Sequence, residues 1–261
     1  MTTTNGMADE ITPRQREIVE IVGEKGFATI EALAQHFSVS TQSIRRDIIQ
    51  LDRTRLLQRF HGGAGATDTT VRLGYAEKHN RAAEGKARIG KAAAALVPDG
   101  ASVFLDVGTT VEAVARELRN RGARCRAFTT SLATAMILAG HGDIELHVFG
   151  GTSRGPDGSL VGAETVAAIG DIHFDCAILG LSGFDADGAP MDFDLDKIAV
   201  KRAALRRADR TIAVGDATKF GRRAVARIAP LEDIRHLVAN EAPPATLAAA
   251  CARAGVDLVV G

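Results

Sequence analysis

Ser38-Val39-Ser40-Thr41-Gln42-Ser43-Ile44-Arg45-Arg46-Asp47-Ile48 is the stretch on which the reading of this chain turns. Ser40 is a hydroxyl residue placed to cap a helix. Ile44, Ile48 and Leu51 then recur at i, i+4 and i+7, one apolar stripe of that helix. At about 100° per residue the opposite face presents Gln42, Arg46, Ile49 and Arg53, with Arg45 on its flank. From Arg45 to Arg59 five arginines (45, 46, 53, 55 and 59) stand against Asp47 and Asp52, a local balance of +3.

Upstream of it, Thr12-Pro13 opens an earlier helix with a hydroxyl cap and a proline whose missing N–H costs nothing there. Ile18 and Val22 share its buried face, and Gly23 is expected to end it. Thr29 caps a second helix in which Ile30, Leu33, Ala34 and Phe37 form one stripe, and Ser38-Val39 turns the chain into the third. Leu56 to Phe60 reads as a strand and Gly62-Gly63 as a turn. The whole, residues 11–65, reads as a winged helix-turn-helix. In such a unit Arg reads guanine and Gln reads adenine, while Ser40, Thr41 and Ser43 meet phosphate at the helix N-terminus. A helical hairpin with a solvated basic face carries the same pattern, so geometry alone leaves both readings open.

The 261 residues accommodate one large domain or two ordinary ones at roughly 100–200 residues each. Lys plus Arg number 32 and Asp plus Glu number 32, which excludes a chain-wide electrostatic coat for nucleic acid or membrane. A hydrophobic share of 46% and a charged share of 25% exclude global disorder. Ten Phe, one Tyr and no Trp leave the cores to Ala, Val, Leu and Ile, with few aromatics to stack exposed bases. No apolar run approaches the roughly 18 residues that span a bilayer, and Met1 to Glu10 lacks the pattern of a secretory signal. Cys125, Cys176 and Cys251 form neither a metal spacing nor a disulfide framework, so buried thiols in a cytoplasmic protein, with no metal and no membrane partner, are expected.

Residues 66–84 are polar without a clear period and read as a linker or a peripheral helix. From 85 to 261 short Val/Ile/Leu/Phe runs alternate with Ala-rich helical runs, the pattern of an α/β domain with a parallel sheet. Four strand-to-loop junctions stand out. Ala101 to Leu105 ends in Asp106-Val107-Gly108-Thr109-Thr110, and Arg126 to Thr129 ends in Thr130-Ser131. Ile144 to Phe149 ends in Gly150-Gly151, and Thr211 to Val214 ends in Gly215-Asp216, with Lys219 three residues on. In a parallel sheet these ends share the edge where ligands bind. Glycine lets backbone N–H groups approach an anion, threonine adds a hydroxyl, and the helix after Gly108 adds unpaired donors. Asp106, Asp192 and Asp194 could accept hydrogen bonds from hydroxyls, and Lys201 and Lys219 could neutralise phosphate. Capping, surface solvation and a local Asp216–Lys219 pair are the plainer readings of the same residues.

The front motif, continued by Leu51 and by Arg59-Phe60-His61-Gly62-Gly63-Ala64, closely resembles the DeoR family of bacterial transcription regulators, which normally has Thr where Ser43 stands. The resemblance implies that Arg45 and Arg46 contact DNA. Together with Ser40, Thr41, Gln42, Ser43, Arg53, Arg59 and His61 they make the candidate DNA-contacting set. Residues 85–261 are similar to the family's effector domain, whose fold resembles ribose-5-phosphate isomerase. The positions carried over are Asp106, Gly108, Thr109, Thr110, Thr130, Ser131, Gly150, Gly151, Lys201, Asp216 and Lys219-Phe220-Gly221. Met191-Asp192-Phe193-Asp194 followed by Val200-Lys201-Arg202-Ala203 looks most like the glycerol-3-phosphate regulon branch, in which a Glu usually stands at the position of Lys197.

The resemblance implies a repressor whose affinity for a double-stranded DNA operator is set by a phosphorylated sugar or polyol such as glycerol-3-phosphate, with no further cofactor. Phosphate would be gripped at Gly108–Thr110 and Lys201, and Asp192 and Asp194 would sense hydroxyls. Two-fold operators imply a homo-oligomer, dimer or tetramer. The alternative is a sugar-phosphate isomerase-like enzyme with an accessory domain. It would need a positioned carboxylate base, for which Asp194 and Asp196 are the candidates, with Lys197 as the neighbouring cation of an Asp196-Lys197 pair. The isomerase's glycine-rich lysine loop is missing, and an isomerase has no use for a recognition helix.

Overall fold

The first helix, α1 (Pro13–Lys25), begins at a reciprocal cap: Gln15 N donates to Thr12 Oγ1 at 3.2 Å, and Thr12 N donates to Gln15 Oε1 at 3.0 Å. Gly23 does not end it, since the helix runs on to Lys25; a glycine costs a helix only about 1 kcal/mol. In this computed structural model the described residues are 11–25, 27–54, 56–60, 62–66, 82–153 and 157–261. They fall into two compact units, divided between Leu73 and Gly74.

In the smaller unit β1 (Phe27–Thr29) leads into α2 (Ile30–His36), whose cap is Thr29 accepting from Ala32 N at 3.0 Å. The third helix, α3 (Thr41–Arg53), is capped by Ser40, which accepts from Ser43 N at 3.2 Å. A hairpin of β2 (Leu57–Phe60) and β3 (Gly63–Ala66) follows, turning at Gly62, where φ is 90°. This is the expected wing. The sequence reading did not include β1, which pairs antiparallel with β3, because three residues are too few for an alternating pattern to register. Ile18, Val22, Leu33, Ile44, Ile48, Leu51 and Leu57 close the core at 0–1% exposure. Each such side chain stabilises the fold by roughly 1.5–3 kcal/mol relative to exposure.

Of the expected linker, residues 67–81 lie outside the described residues, and Ala83 and Glu84 already belong to α4 (Ala83–Ala95). The larger unit then runs β4 (Ser102–Leu105), α5 (Thr109–Asn120), β5 (Cys125–Thr129), α6 (Leu132–Leu138), β6 (Ile144–Val148), β7 (Thr152–Ser153), β8 (Leu160–Val161) and α7 (Ala163–Gly170). It continues with β9 (Cys176–Gly180), β10 (Gly183–Phe184), β11 (Pro190–Asp192), α8 (Leu195–Arg206), β12 (Thr211–Val214), β13 (Ala226–Arg227), β14 (His236–Ala239), α9 (Ala245–Ala254) and β15 (Asp257–Val260).

Seven strands form one parallel sheet in the order β15-β14-β12-β9-β4-β5-β6. The sequence reading missed β9 as a strand, although β9 joins the two halves of this sheet. From β4 the chain moves outward through β5 to β6, and from β9 it moves the other way through β12 and β14 to β15. The direction of winding therefore reverses between β4 and β9, and in such sheets ligands bind in the crevice outside that reversal. Apolar cores lie on both faces. One takes Val111, Val114 and Leu118 of α5, the other Ile198, Val200 and Ala203 of α8. Cys176 and Ile178 point into the first and Ala177 and Leu179 into the second, so β9 reads as an unbroken apolar run rather than an alternation.

Candidate DNA-binding face and effector site

On α3 the buried side is Ile44, Asp47, Ile48 and Leu51, which turns Gln42, Arg45, Arg46 and Arg53 to solvent. Thr41 is exposed too, while Ser43 is half-buried and its hydroxyl lies 3.0 Å from that of Ser40. Ser40 Oγ is thus occupied in capping the helix. On the wing, Arg59 is exposed and its backbone N–H donates to Asp52 Oδ1 at 2.9 Å. His61 lies outside the described residues. Asp47, counted above against the arginines, is not on their face. It is 6% exposed and accepts from Arg14 Nε at 2.7 Å and from Gln15 Nε2 at 3.1 Å. Gln15 Nε2 also reaches Gln50 Oε1 at 2.9 Å, so the capped start of α1 is clamped to the back of α3. A carboxylate spent on Arg14 does not offset the outward arginines. The presented face is more positive than the local count of residues suggests.

In the larger unit the four expected junctions lie at the carboxyl ends of β12, β4, β5 and β6, with β9 between the first two. Gly108 opens α5 with φ 134° and ψ 152°, and the helix start carries no side-chain cap. Nothing stands within 4 Å of where a Cβ of Gly108 would be, so its conformation rather than crowding calls for glycine. Thr109 is half-buried and Thr110 is 9% exposed. This amino end, with its unpaired N–H groups, is open to an anion.

The charged residues behind it are arranged otherwise than the sequence suggests. Lys201 is 2% exposed and its Nζ pairs with Asp106 Oδ2, lies 3.3 Å from Asp192 Oδ2 and donates to Gly180 O at 2.9 Å. Gly180 N donates back to Asp106 Oδ2 at 3.0 Å. Lys201, expected to neutralise phosphate, therefore neutralises two carboxylates, and Asp106, at 1% exposure, is out of reach of a hydroxyl ligand. Burial pushes the Asp106 carboxyl up by more than Lys201 draws it down. Burial acts likewise on Asp192, but there Lys201, the Phe193 N–H and the Ser182 hydroxyl outweigh it and hold the group below its ordinary value. Burial works against the Lys201 ammonium, and the two carboxylates more than compensate, so it is held charged. Only half-buried Asp192 keeps an approach from solvent; its Oδ1 accepts from Ser182 Oγ at 2.8 Å.

The remaining candidates are mostly spoken for. Asp194 caps α8, accepting from Asp196 N at 3.0 Å and Lys197 N at 3.2 Å. Lys197 pairs with Asp157, which removes the lysine that the isomerase reading would use. Asp216 accepts from Thr218 N at 2.9 Å and caps the short turn Ala217–Lys219, in which Lys219 is half-buried. Ser131 caps α6 through Thr134 N at 3.1 Å. Gly151 sits where a Cβ would meet Thr165 Oγ1 at 2.3 Å, so it serves a close approach between segments. Thr130 is wholly buried at the end of β5, and its hydroxyl finds no hydrogen-bond partner.

Sequence reasoning missed Gly180, Ser182 and the Arg14–Gln15–Asp47 clamp. The apolar run Cys176 to Gly180 followed by Leu181-Ser182-Gly183 was an available signal for the first two. The three cysteines are buried, as expected, and burial pushes the Cys176 thiol up to about 12. Among the described residues no helix is long and apolar enough to cross a membrane. A cavity of about 590 Å³ among Leu205, Asp209, Thr211, Ile234 and Arg235 opens at the amino ends of β12 and β14, away from the junctions above.

Two family models match the chain: the DeoR-like helix-turn-helix domain over residues 14–70 and the DeoR C terminal sensor domain over 81–241. The chain is 34% identical over 236 residues to the glycerol-3-phosphate regulon repressor of Escherichia coli K12, covering 90% of this chain and 93% of that one. It is 32% identical over 248 residues to the HTH-type transcriptional repressor CsqR of the same organism, covering 95% of each. Among solved structures, ribose 5-phosphate isomerase A of Methanocaldococcus jannaschii aligns over 55% of each chain, with a TM-score of 0.40 and 18% identity.

Proposed function

The chain belongs to the DeoR family of DNA-binding transcriptional regulators, and from that premise we propose that it represses by holding a two-fold operator until a phosphorylated sugar or polyol releases it. The observation that supports the effector half is the amino end of α5. It is uncapped, opens on a glycine at φ 134° beside two threonines, and lies at the winding reversal of the sheet. Phosphate binds there through backbone N–H groups and the Thr109 hydroxyl. Lys201 works behind the site, holding the loop after β4 to β11 through Asp106 and Asp192. Asp192 takes the ligand's hydroxyl, whereas Asp194 remains the cap of α8. Glycerol-3-phosphate is the first compound to test, because relatives of this chain carry its name. The protein acts as at least a dimer, one recognition helix for each half-site. The coupling required is modest, since about 1–3 kcal/mol between effector and operator changes affinity roughly 5–150-fold.

The test is an operator titration in a gel shift, with phosphorylated sugars and polyols as competitors. Wild type releases the operator. Gly108→Ala forces a side chain into a glycine-only conformation at a cost of about 1–3 kcal/mol, and so needs roughly ten-fold or more effector while binding the operator unchanged. Release of that variant at the wild-type concentration removes the α5 terminus from the site. If no phosphorylated compound releases wild type, the effector class is wrong.

A further inference from the structure

The outer side of β6 carries no strand among the described residues. Exposed edges of this kind are usually blunted by lysine, proline or a bulge, and Ile144-Glu145-Leu146-His147-Val148 has neither residue. Ile144 and Leu146 pack toward the core under α6. Val148, two residues on, takes the same face by alternation and is 44% exposed. On α6 itself Leu132 and Met136, one turn apart, are 45% and 77% exposed. Glu145 and His147 take the opposite face, where the His147 ring stacks on Phe128 at 4.6 Å and its Nε2 lies 2.9 Å from Glu145 Oε1. Among the described residues every large apolar side chain left exposed belongs to the larger unit.

We propose that β6 is the seam of a homodimer, two copies pairing this strand antiparallel about a two-fold axis through Leu146. The sequence of the strand is self-complementary in that register. On one face Ile144 opposes Val148 and Leu146 opposes itself; on the other Glu145 opposes His147 twice. Centring on Glu145 would instead set two carboxylates against each other, and centring on His147 would set Glu145 against Phe149. The axis keeps both α6 helices on one side of the joined sheet, where Leu132 and Met136 of each copy flank the seam. The other edge, β15, exposes Leu258 and Val260 but offers no acid–base exchange.

The proposal rests on the two-fold reading of the operator, and the experiment separates the two. Sedimentation of the full chain gives its dimer dissociation constant. His147→Glu places carboxylate against carboxylate twice and raises that constant about ten-fold or more, and adding Glu145→Lys restores it. Leu146→Cys cross-links to its own copy under mild oxidation, because directly opposed residues lie about 4.5–5.5 Å apart and the three native thiols are buried. Val148→Cys faces Ile144 and does not cross-link. A dimer indifferent to these changes, or cross-linking equally at both positions, overturns the seam and leaves the two-fold reading standing. A wild-type chain that stays monomeric while binding its operator overturns both.

Discussion

Arg46 and Lys201 are both basic residues within helices, yet one is exposed on α3 and the other is 2% exposed on α8 between two carboxylates. On the exposed face of α3, Arg45, Arg46 and Arg53 make no ion pair among the described residues. At the crevice of the sheet the charges are turned on one another, and what is left for a ligand is backbone N–H and hydroxyl. A displayed charge contributes little to the fold and can be spent on a partner. A buried ion pair serves the fold first, because a single charge left alone inside costs far more than the pair contributes. Basic side chains therefore do different work in the two regions, and mutation tells them apart.

The largest expected effect is at the crevice. Lys201→Met leaves Asp106 and Asp192 facing each other without their cation and costs about 3–5 kcal/mol of folding stability. For a unit of this size that lowers the melting temperature by on the order of 10 °C. Urea unfolding of wild type and variant measures it, and a loss below about 1 kcal/mol would make Lys201 an ordinary surface lysine in solution. Arg46→Ala shows the converse pattern. Stability stays within about 0.5 kcal/mol of wild type, while operator binding weakens by about 1–3 kcal/mol if Arg46 reads a base. If it touches phosphate, the salt dependence flattens by about one instead. A gel-shift titration at two salt concentrations decides between these, and unchanged binding would remove Arg46 from the interface.

The same contrast governs what the sequence could reveal. Caps and stripes of the smaller unit, Thr12, Thr29, Ser40 and the Ile44–Ile48–Leu51 face, are contacts between near neighbours along the chain, and a period of 3.6 exposes them directly. The outward arginines followed by subtraction. The strand ends of the larger unit were legible too, since glycine and threonine cluster where a strand gives way to a helix. The partners of the buried charges were not. Asp106 and Lys201 are 95 residues apart, and Arg14 and Asp47 are 33 apart. Nothing local distinguishes a lysine that faces phosphate from one that faces aspartate. For β9, burial on both faces erased the alternation that marks a half-exposed strand, and Cys176-Ala177-Ile178-Leu179-Gly180 suits a buried helix equally well.

The smallest effect refines the comparison, because Asp157 and Lys197 stand between the two extremes, with side chains 27% and 19% exposed. Burial pushes the Asp157 carboxyl up, but the Lys197 ammonium, the Ser159 hydroxyl and the Ser159 N–H outweigh it and hold the group below its usual 3.8. A carboxyl depressed in the folded state contributes stability above its unfolded pKa and loses that contribution as pH falls from about 3.8 through the folded value. For a pair so open to water the contribution is about 0.5–1 kcal/mol. Asp157→Asn should therefore be less stable than wild type by that amount at pH 6, and the gap should close as the pH is lowered toward 3. Urea midpoints across this range read it out. A gap that stays constant would assign the loss to packing, and a gap of several kcal/mol would place Asp157 with the buried charges of the crevice rather than between them and the arginines of α3.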